Sequence, residues 1–360
     1  MSAITITRTY DHEQAEAFLG RVASIIDAAA IANMISIGHR LELFDTMAQM
    51  PPASSSDIAA RAGLSERYVR EWLAVMTVGR IVTYDPQSAT YHLPDAHAAS
   101  LTRRGELGNM AVYGQFASLL GAVQERVLEC FHTGEGLHYH DYPDFHAIMA
   151  EDSGQTVTAR LFDTILPLAD GLLDRLEAGI EVLDAGCGRG SALIAMAERF
   201  PSSRFLGYDL GEDAIAYASA QVAARGLGNI RFEPRDLTGY DAVARFDLIT
   251  TFDAVHDQKD PEALLASLRR ALRPNGTYLM QDIGGSARLE NNMEFPMAAM
   301  LYAVSTTHCT PVSLGQGGEG LGTMWGWETA EAMLHRVGFR SVERHVLAHD
   351  PMNVWFVSRC

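Results

Sequence analysis

Beyond Ala178 the apolar positions change period repeatedly, from 2 to about 3.6 and back. The pattern predicts strands at 181–185, 204–209, 229–233, 246–251 and 276–282. Helices are expected between them at 190–200, 212–226 and 261–272. A helix at 327–337 and strands at 340–348 and 352–358 close the chain. Such alternation predicts an α/β domain with a doubly wound sheet. The N-terminal part reads differently. Ala15, Phe18, Leu19, Val22, Ile25, Ile26, Ala29 and Ile31 recur at helical spacing over 13–36. They predict a long helix whose broad apolar face is either core or a subunit interface. Ser54–Asp57 can cap a short helix, and Ser65 a second, with Val69, Trp72, Leu73, Met76 and Val78 facing inward. Val82–Tyr84 and Thr90–Leu93, either side of an Asp85-Pro86-Gln87-Ser88 turn, predict a hairpin.

The stretch between these halves, 94–175, reads as a helical connector. It holds a helix around Met110–Leu128, an irregular aromatic loop at 134–144, a short helix at 145–149 and a longer one at 156–176. His138, His140 and Asp141 lie in the loop but have no fourth partner nearby in sequence, so pocket wall or surface is the reading rather than a metal site.

The candidate chemistry centres on Glu181-Val182-Leu183-Asp184-Ala185-Gly186-Cys187-Gly188-Arg189-Gly190-Ser191. A strand ends in a carboxylate, and glycines follow at alternate positions before a helix. Glycine serves where φ is positive or where a Cβ would obstruct a ligand. The spacing is not the G-x-G-x-x-G of dinucleotide binding, and no Lys-Ser/Thr pair follows as in a triphosphate loop. Asp184 would repel a pyrophosphate and suits a cation, such as the amino group of an amino-acid-like ligand. Asp209 ends the next strand, where a carboxylate can accept two ribose hydroxyls. Leu210 would pack against the base or sugar.

These residues resemble motif I of class I S-adenosylmethionine-dependent methyltransferases. The resemblance implies a Rossmann-like core with a seven-stranded mixed sheet closed by an antiparallel hairpin. It assigns Asp236 to the adenine amino group, with Leu237 beside the ring. Phe252 and Asp253, at the end of the fourth strand, flank the methionine part, and Asp184, Gly186 and Gly188 complete the cradle. The helix-turn-helix-hairpin segment resembles the winged-helix domain that precedes the core in small-molecule O-methyltransferases, where it serves dimerisation. The whole chain resembles an actinobacterial-type group of methyltransferases with this arrangement. The expected division is 1–95 for the helical winged-helix dimerisation domain and 96–177 for connector and substrate cover. The cofactor-binding domain is 178–360, with an insert at 284–326.

His256 stands where that family carries a catalytic histidine, although Gln258 replaces the tryptophan of its motif. Histidine titrates near neutrality and can accept a phenol proton; shaping the loop is the alternative role. Glu294, His308 and Trp325, within or near the largely apolar insert, are candidate contacts to a small apolar or aromatic acceptor. The glycine-rich 315–322 segment suits a lid. No carboxylate cluster has divalent-metal spacing, so a metal-independent reaction is expected.

Composition narrows the alternatives. The 360 residues are 48% hydrophobic without a run of 18 apolar residues, and neither a membrane span nor a secretory signal is expected. Cys130, Cys187, Cys309 and Cys360 are widely separated, which argues against a disulfide framework or a zinc site and suits the cytoplasm. The net charge of −17 disfavours nucleic acid. The expected activity is S-adenosylmethionine-dependent methyl transfer, most readily to oxygen, by a homodimer. A DNA-binding regulator with a cofactor-sensing domain and a non-methylating enzyme on the same fold are the competing classes; an NAD oxidoreductase is disfavoured by the glycine spacing.

Overall fold

The computed structural model describes residues 10–360. The sequence of residues 1–12 reads as a frayed start, and the first nine lie outside the described residues. The chain divides into two compact units, with the boundary between Ser118 and Leu119.

In the first unit, Asp11 accepts from the backbone N–H of Gln14 and opens a helix over His12–Arg40. Helices Ser55–Ala62 and Glu66–Val78 follow, then the hairpin of β1 (Thr83–Asp85) and β2 (Thr90–His92). Ala53 adds a bridge to Tyr91 at the edge of this wing. Leu43, Phe44, Ile58, Val69, Trp72, Leu73 and Met76 form the core. The Trp72 indole N–H donates to the Met34 carbonyl at 2.9 Å, fixing the long helix against it. Val78 departs from the expected inward set and is 79% exposed. It lies two positions beyond Met76, about 200° further round the helix, so its side chain leaves the buried stripe.

The long helix is covered only towards its C-terminal end. Phe18, Leu19, Ile25 and Ile26 are 63%, 69%, 57% and 66% exposed. Among the described residues this is the helix long and apolar enough to cross a membrane, with a mean hydropathy of 1.5 over its most apolar window. The absence of an unbroken apolar run in the sequence therefore understates its apolar character, because the measure averages over interspersed polar residues.

The second unit is built on one seven-stranded sheet. Its strands are β3 (Glu181–Ala185), β4 (Arg204–Asp209), β5 (Ile230–Pro234), β6 (Phe246–Phe252), β7 (Leu272–Ile283), β8 (Ser341–Leu347) and β9 (Asp350–Arg359). Their spatial order is β5-β4-β3-β6-β7-β9-β8. β3 to β7 run parallel, and β9 is antiparallel to both its neighbours. The period-2 pattern divides the core between the faces. Val182, Leu248, Leu279 and Trp355 join one cluster with Leu193 and Ile215. Leu183, Ile249, Met280 and Phe356 join the other with Leu265 and Leu334. Strand order reverses beside β3, which opens a crevice at the carboxyl ends of β3, β4 and β6.

The expected helix at 156–176 is broken. One helix runs Phe145–Thr156, irregular turns span Thr158–Leu168, and a second helix covers Leu172–Ala178. Pro167 lacks the N–H that a continuous helix needs, and Gly171 has φ +69°. The apolar spacing persists through the break, so periodicity alone missed it.

Gly190 shows why the turn after β3 needs glycine. Its φ is +73°, and a Cβ would lie 2.3 Å from the Phe232 ring. Gly190→Ala is expected to lower stability by about 2–4 kcal/mol, from overpacking and backbone strain together. Urea denaturation checks this; a loss below about 0.5 kcal/mol would show that the turn repacks freely.

Candidate active site

The turn after β3 is tied to β4. The N–H groups of Gly186 and Cys187 both donate to the Tyr208 carbonyl, at 2.8 and 3.0 Å. Gly186 has φ +80°, and a Cβ there would meet the Ala254 Cβ at 2.5 Å. Asp209 completes the link. One carboxylate oxygen accepts from the Gly188 N–H at 2.7 Å and the other from Gly211 at 2.8 Å. A carboxylate has about four lone-pair sites, so both oxygens can still accept from a ligand.

Asp184 ends β3 and is 2% exposed. It accepts from the Thr250 hydroxyl at 2.7 Å. Burial pushes its pKa up to about 7, against the opposing Thr250 bond, with the nearby Asp209 charge adding to the rise. Asp253, just past β6, holds φ +55°, a strained conformation for a non-glycine residue.

These residues line one cavity of about 120 Å³. Its wall includes Asp184, Gly186, Gly188, Asp209, Leu210, Leu237, Phe252 and Asp253. The structure thus brings together every residue expected to hold the cofactor except Asp236. Asp236 is exposed, caps the Thr238 N–H at 2.7 Å, and lines an adjoining cleft of about 980 Å³. The two cavities share Tyr139, Phe145, His146 and Leu210.

A cover from 96–177 was expected, but its individual wall residues were not. Tyr139, Phe145, His146, Met149, Ser153 and Val157 also line the first cavity, largely from the Phe145–Thr156 helix. The aromatic run at 138–145 was the available signal, but nothing in it specified which cavity it closes. Arg189 and Arg235 were missed as wall residues too. Arg235 lies over the rings of Tyr208 and Tyr240, at 5.0 and 4.9 Å.

The expected base is not on the wall. His256 is 2% exposed, and the cavity is lined by its neighbours Asp253, Ala254, Asp257 and Gln258 instead. Its Nδ1 lies 2.9 Å from Asp282 and its Nε2 3.2 Å from Asp257. Burial disfavours the imidazolium, but the charges of Asp282 and Asp257 outweigh it and hold the pKa well above the usual histidine range. Two flanking carboxylates favour the doubly protonated ring, a form that has no lone pair with which to take a proton.

The expected acceptor contacts also move. Glu294 is exposed and lines neither cavity. Trp325 is 5% exposed and donates its indole N–H to Asp282 at 2.9 Å. His308 is 1% exposed and stacks on Phe145 with ring centroids 4.0 Å apart. Burial lowers its pKa to about 4, so the ring is neutral. His308 supports the wall residue Phe145 from behind, while Trp325 bonds to Asp282, which lines neither cavity. Donor atoms of His256, Asp257 and Cys309 also lie within 4.8 Å of one another, a convergence that the distance of Cys309 along the sequence concealed.

Comparison with known families accounts for both units. Residues 29–103 match the family model of an Rv2258c-like winged HTH domain, and residues 176–335 that of a methyltransferase domain. The chain carries a methyltransferase domain behind a winged helix. Nocamycin O-methyltransferase of Saccharothrix syringae is 35% identical over 116 residues, 31% of this chain and 41% of that relative. The match thus spans less than half of that relative's length. Methyltransferase ungE' of Aspergillus campestris is 24% identical over 93% of this chain and 95% of its own. Human N-acetylserotonin methyltransferase, solved in complex with SAM, has the same fold. Its TM-score is 0.67 at 16% identity, covering 98% of this chain and 99% of that one. The methyltransferase domain follows the expected architecture, with the antiparallel β8–β9 edge included.

Proposed function

We propose that this protein transfers a methyl group from S-adenosylmethionine to the oxygen of a small apolar or aromatic acceptor. The observation that carries the reading is the placement of Asp184 and Asp209 on one cavity, at the ends of adjacent parallel strands and across a glycine turn.

The residues fit the cofactor chemically. A buried carboxylate whose burial opposes its charge favours a cationic partner, and Asp184 would face the amino group. Asp209 would accept the ribose hydroxyls, with Leu210 and Leu237 against the adenine. The smaller cavity alone is below the roughly 300–1,000 Å³ of a typical small-molecule site, so the ligand reaches into the adjoining cleft, where Asp236 meets it. When bound, the cofactor supplies an electrophilic methyl group. The protein orients the acceptor, excludes water with Tyr139, Phe145 and Met149, and accepts the acceptor's proton. Calorimetry tests the cofactor assignment: micromolar binding of S-adenosylmethionine and its demethylated product supports it. Tight NADH binding without either would sink it. Labelled-methyl transfer to a panel of phenols and other small hydroxyl compounds then finds the acceptor.

The winged helix is read as a dimerisation domain. On the Glu66–Val78 helix, Arg67 pairs with Glu71 and Arg70 with Glu66, which leaves little free positive charge for a phosphate backbone. A second copy covers Phe18, Leu19, Ile25 and Ile26. Arg21 and Asp27 lie within the same helix and would be costly in hydrocarbon. The free cysteines suit the cytoplasm. Leu19→Glu combined with Ile26→Glu is expected to convert a dimer to a monomer in sedimentation velocity. A monomeric parent protein would remove this assignment, and partition of the parent into vesicles would replace it with a membrane surface.

A further inference from the structure

We infer that His256 is a positioning residue, held as a doubly protonated ring, and that Asp257 is the catalytic group that receives the acceptor's proton. This rests on the methyl-transfer reading above.

The geometry leaves His256 little choice. A neutral imidazole offers one N–H donor and one lone pair, whereas an ionised carboxylate only accepts. Nδ1 faces Asp282 Oδ1 at 2.9 Å and Nε2 faces Asp257 Oδ1 at 3.2 Å. Asp253 Oδ1 lies 3.8 Å from Nδ1 on the same side. Nδ1 makes the hydrogen bond to Asp282, whereas the Nε2 approach to Asp257 is a charge contact without hydrogen-bond alignment. A ring with a proton on each nitrogen meets both carboxylates with opposite charge. Asp282 Oδ1 is itself fixed by the Trp325 indole N–H at 2.9 Å and the Ile283 N–H at 2.8 Å. Trp325, Asp282 and His256 thus form a hydrogen-bonded chain behind the wall, whose ring lies beside Asp257 as a charge contact.

Asp257 is the member of that chain which reaches the cavity. It is 5% exposed, and its Oδ1 makes no aligned hydrogen bond. Its Oδ2 accepts from the Tyr139 hydroxyl at 3.3 Å and lies 3.8 Å from His308 Nδ1. Cys309 is the other titratable neighbour; its buried sulfur accepts from the Thr323 hydroxyl at 2.9 Å. With His308 neutral and the thiol protonated, Asp257 keeps the lone pairs that His256 lacks.

In the step itself, the acceptor oxygen forms a bond to the methyl carbon while its proton passes to an Asp257 oxygen. The carbon–sulfur bond breaks and its electron pair stays on sulfur, which cancels the sulfonium charge. Asp257 releases the proton to water before the next turnover.

The test reads the ring directly in the full chain, labelled with nitrogen-15 histidine and saturated with S-adenosylhomocysteine. The His256 signal is assigned by its loss in His256→Gln. Both ring nitrogens are expected to stay protonated from about pH 6 to about pH 9, where an ordinary histidine loses its proton. In Asp257→Asn the ring is expected to titrate at lower pH. A parent ring that is neutral or titrates near pH 7 overturns the inference, as does a stoichiometric transition metal found on His256, Asp257 and Cys309 by elemental analysis. With an acceptor in hand, Asp257→Asn is expected to lower kcat by about 100-fold or more while S-adenosylhomocysteine affinity is retained, and Asp257→Glu to restore part of it. Unchanged turnover in Asp257→Asn overturns the assignment of Asp257. Should the parent methylate nothing, the methyl-transfer reading fails, while the ring spectrum still decides the charge on His256.

Discussion

Asp209→Ala is expected to weaken S-adenosylmethionine binding by about 100-fold or more. The carboxylate is engaged on two sides. It holds the turn through Gly188 and Gly211, and on the proposed reading it also accepts the ribose hydroxyls. Hydrogen bonds to a charged group contribute about 1.5–3 kcal/mol each, so losing the ribose pair alone costs about 3 kcal/mol or more. That converts to roughly two orders of magnitude in Kd. The freed Gly188 and Gly211 N–H groups add a second loss, because the turn no longer stands in its binding conformation. Asp209→Asn keeps one acceptor oxygen and should fall between the parent and the alanine variant. Titration calorimetry checks the series. A change below about fivefold in Asp209→Ala would detach the sugar from this strand end.

The second large effect is a pH dependence set by Asp184. Its folded pKa of about 7 lies above the ordinary aspartate value of 3.8. A raised carboxylate stabilises the fold only while protonated. Its contribution is fully present below about pH 4 and is lost as pH rises through about 7. The difference of about three units corresponds to about 4 kcal/mol in the unliganded protein. A cationic ligand reverses the balance, because it needs the carboxylate. Affinity for S-adenosylmethionine is therefore expected to rise by about tenfold per pH unit between about pH 5 and pH 7, and then to level off. Binding in that range releases a proton, visible as a buffer-dependent calorimetric heat. Asp184→Asn should bind weakly at every pH, lose this slope and be more stable than the unliganded parent near pH 8. A parallel slope in the variant would assign the proton to another group.

Much of this arrangement was legible along the chain. The sheet's strands were readable because each face of a buried sheet selects every second residue, as Val182 and Leu183 show by joining opposite cores. The cradle was readable because its parts are local. Asp184 and the glycines lie within one turn, and Asp209 lies at the end of the next strand. Asp236 was less legible: the sequence places it after its strand, but the structure turns its side chain to cap Thr238 on the adjoining cleft. The missed break near Pro167 arises because spacing records which residues are apolar but not where a helix stops, whereas Val78 turns outward because it falls off the helical stripe.

The sequence by itself determined the winged helix, the doubly wound sheet and most of the expected cofactor residues that share one cavity wall. These follow from short-range rules: backbone conformation at glycine, the alternation of side chains on a strand, and the exposure of strand ends at a switch point. Only the tertiary structure decided which groups pack around His256 and Asp257. Asp282, Trp325, Tyr139 and His308 come from distant segments to surround His256 and Asp257. Whether a histidine is a free base or a bound cation depends on the charges packed around it and on its access to water. Those are properties of contacts made across the fold.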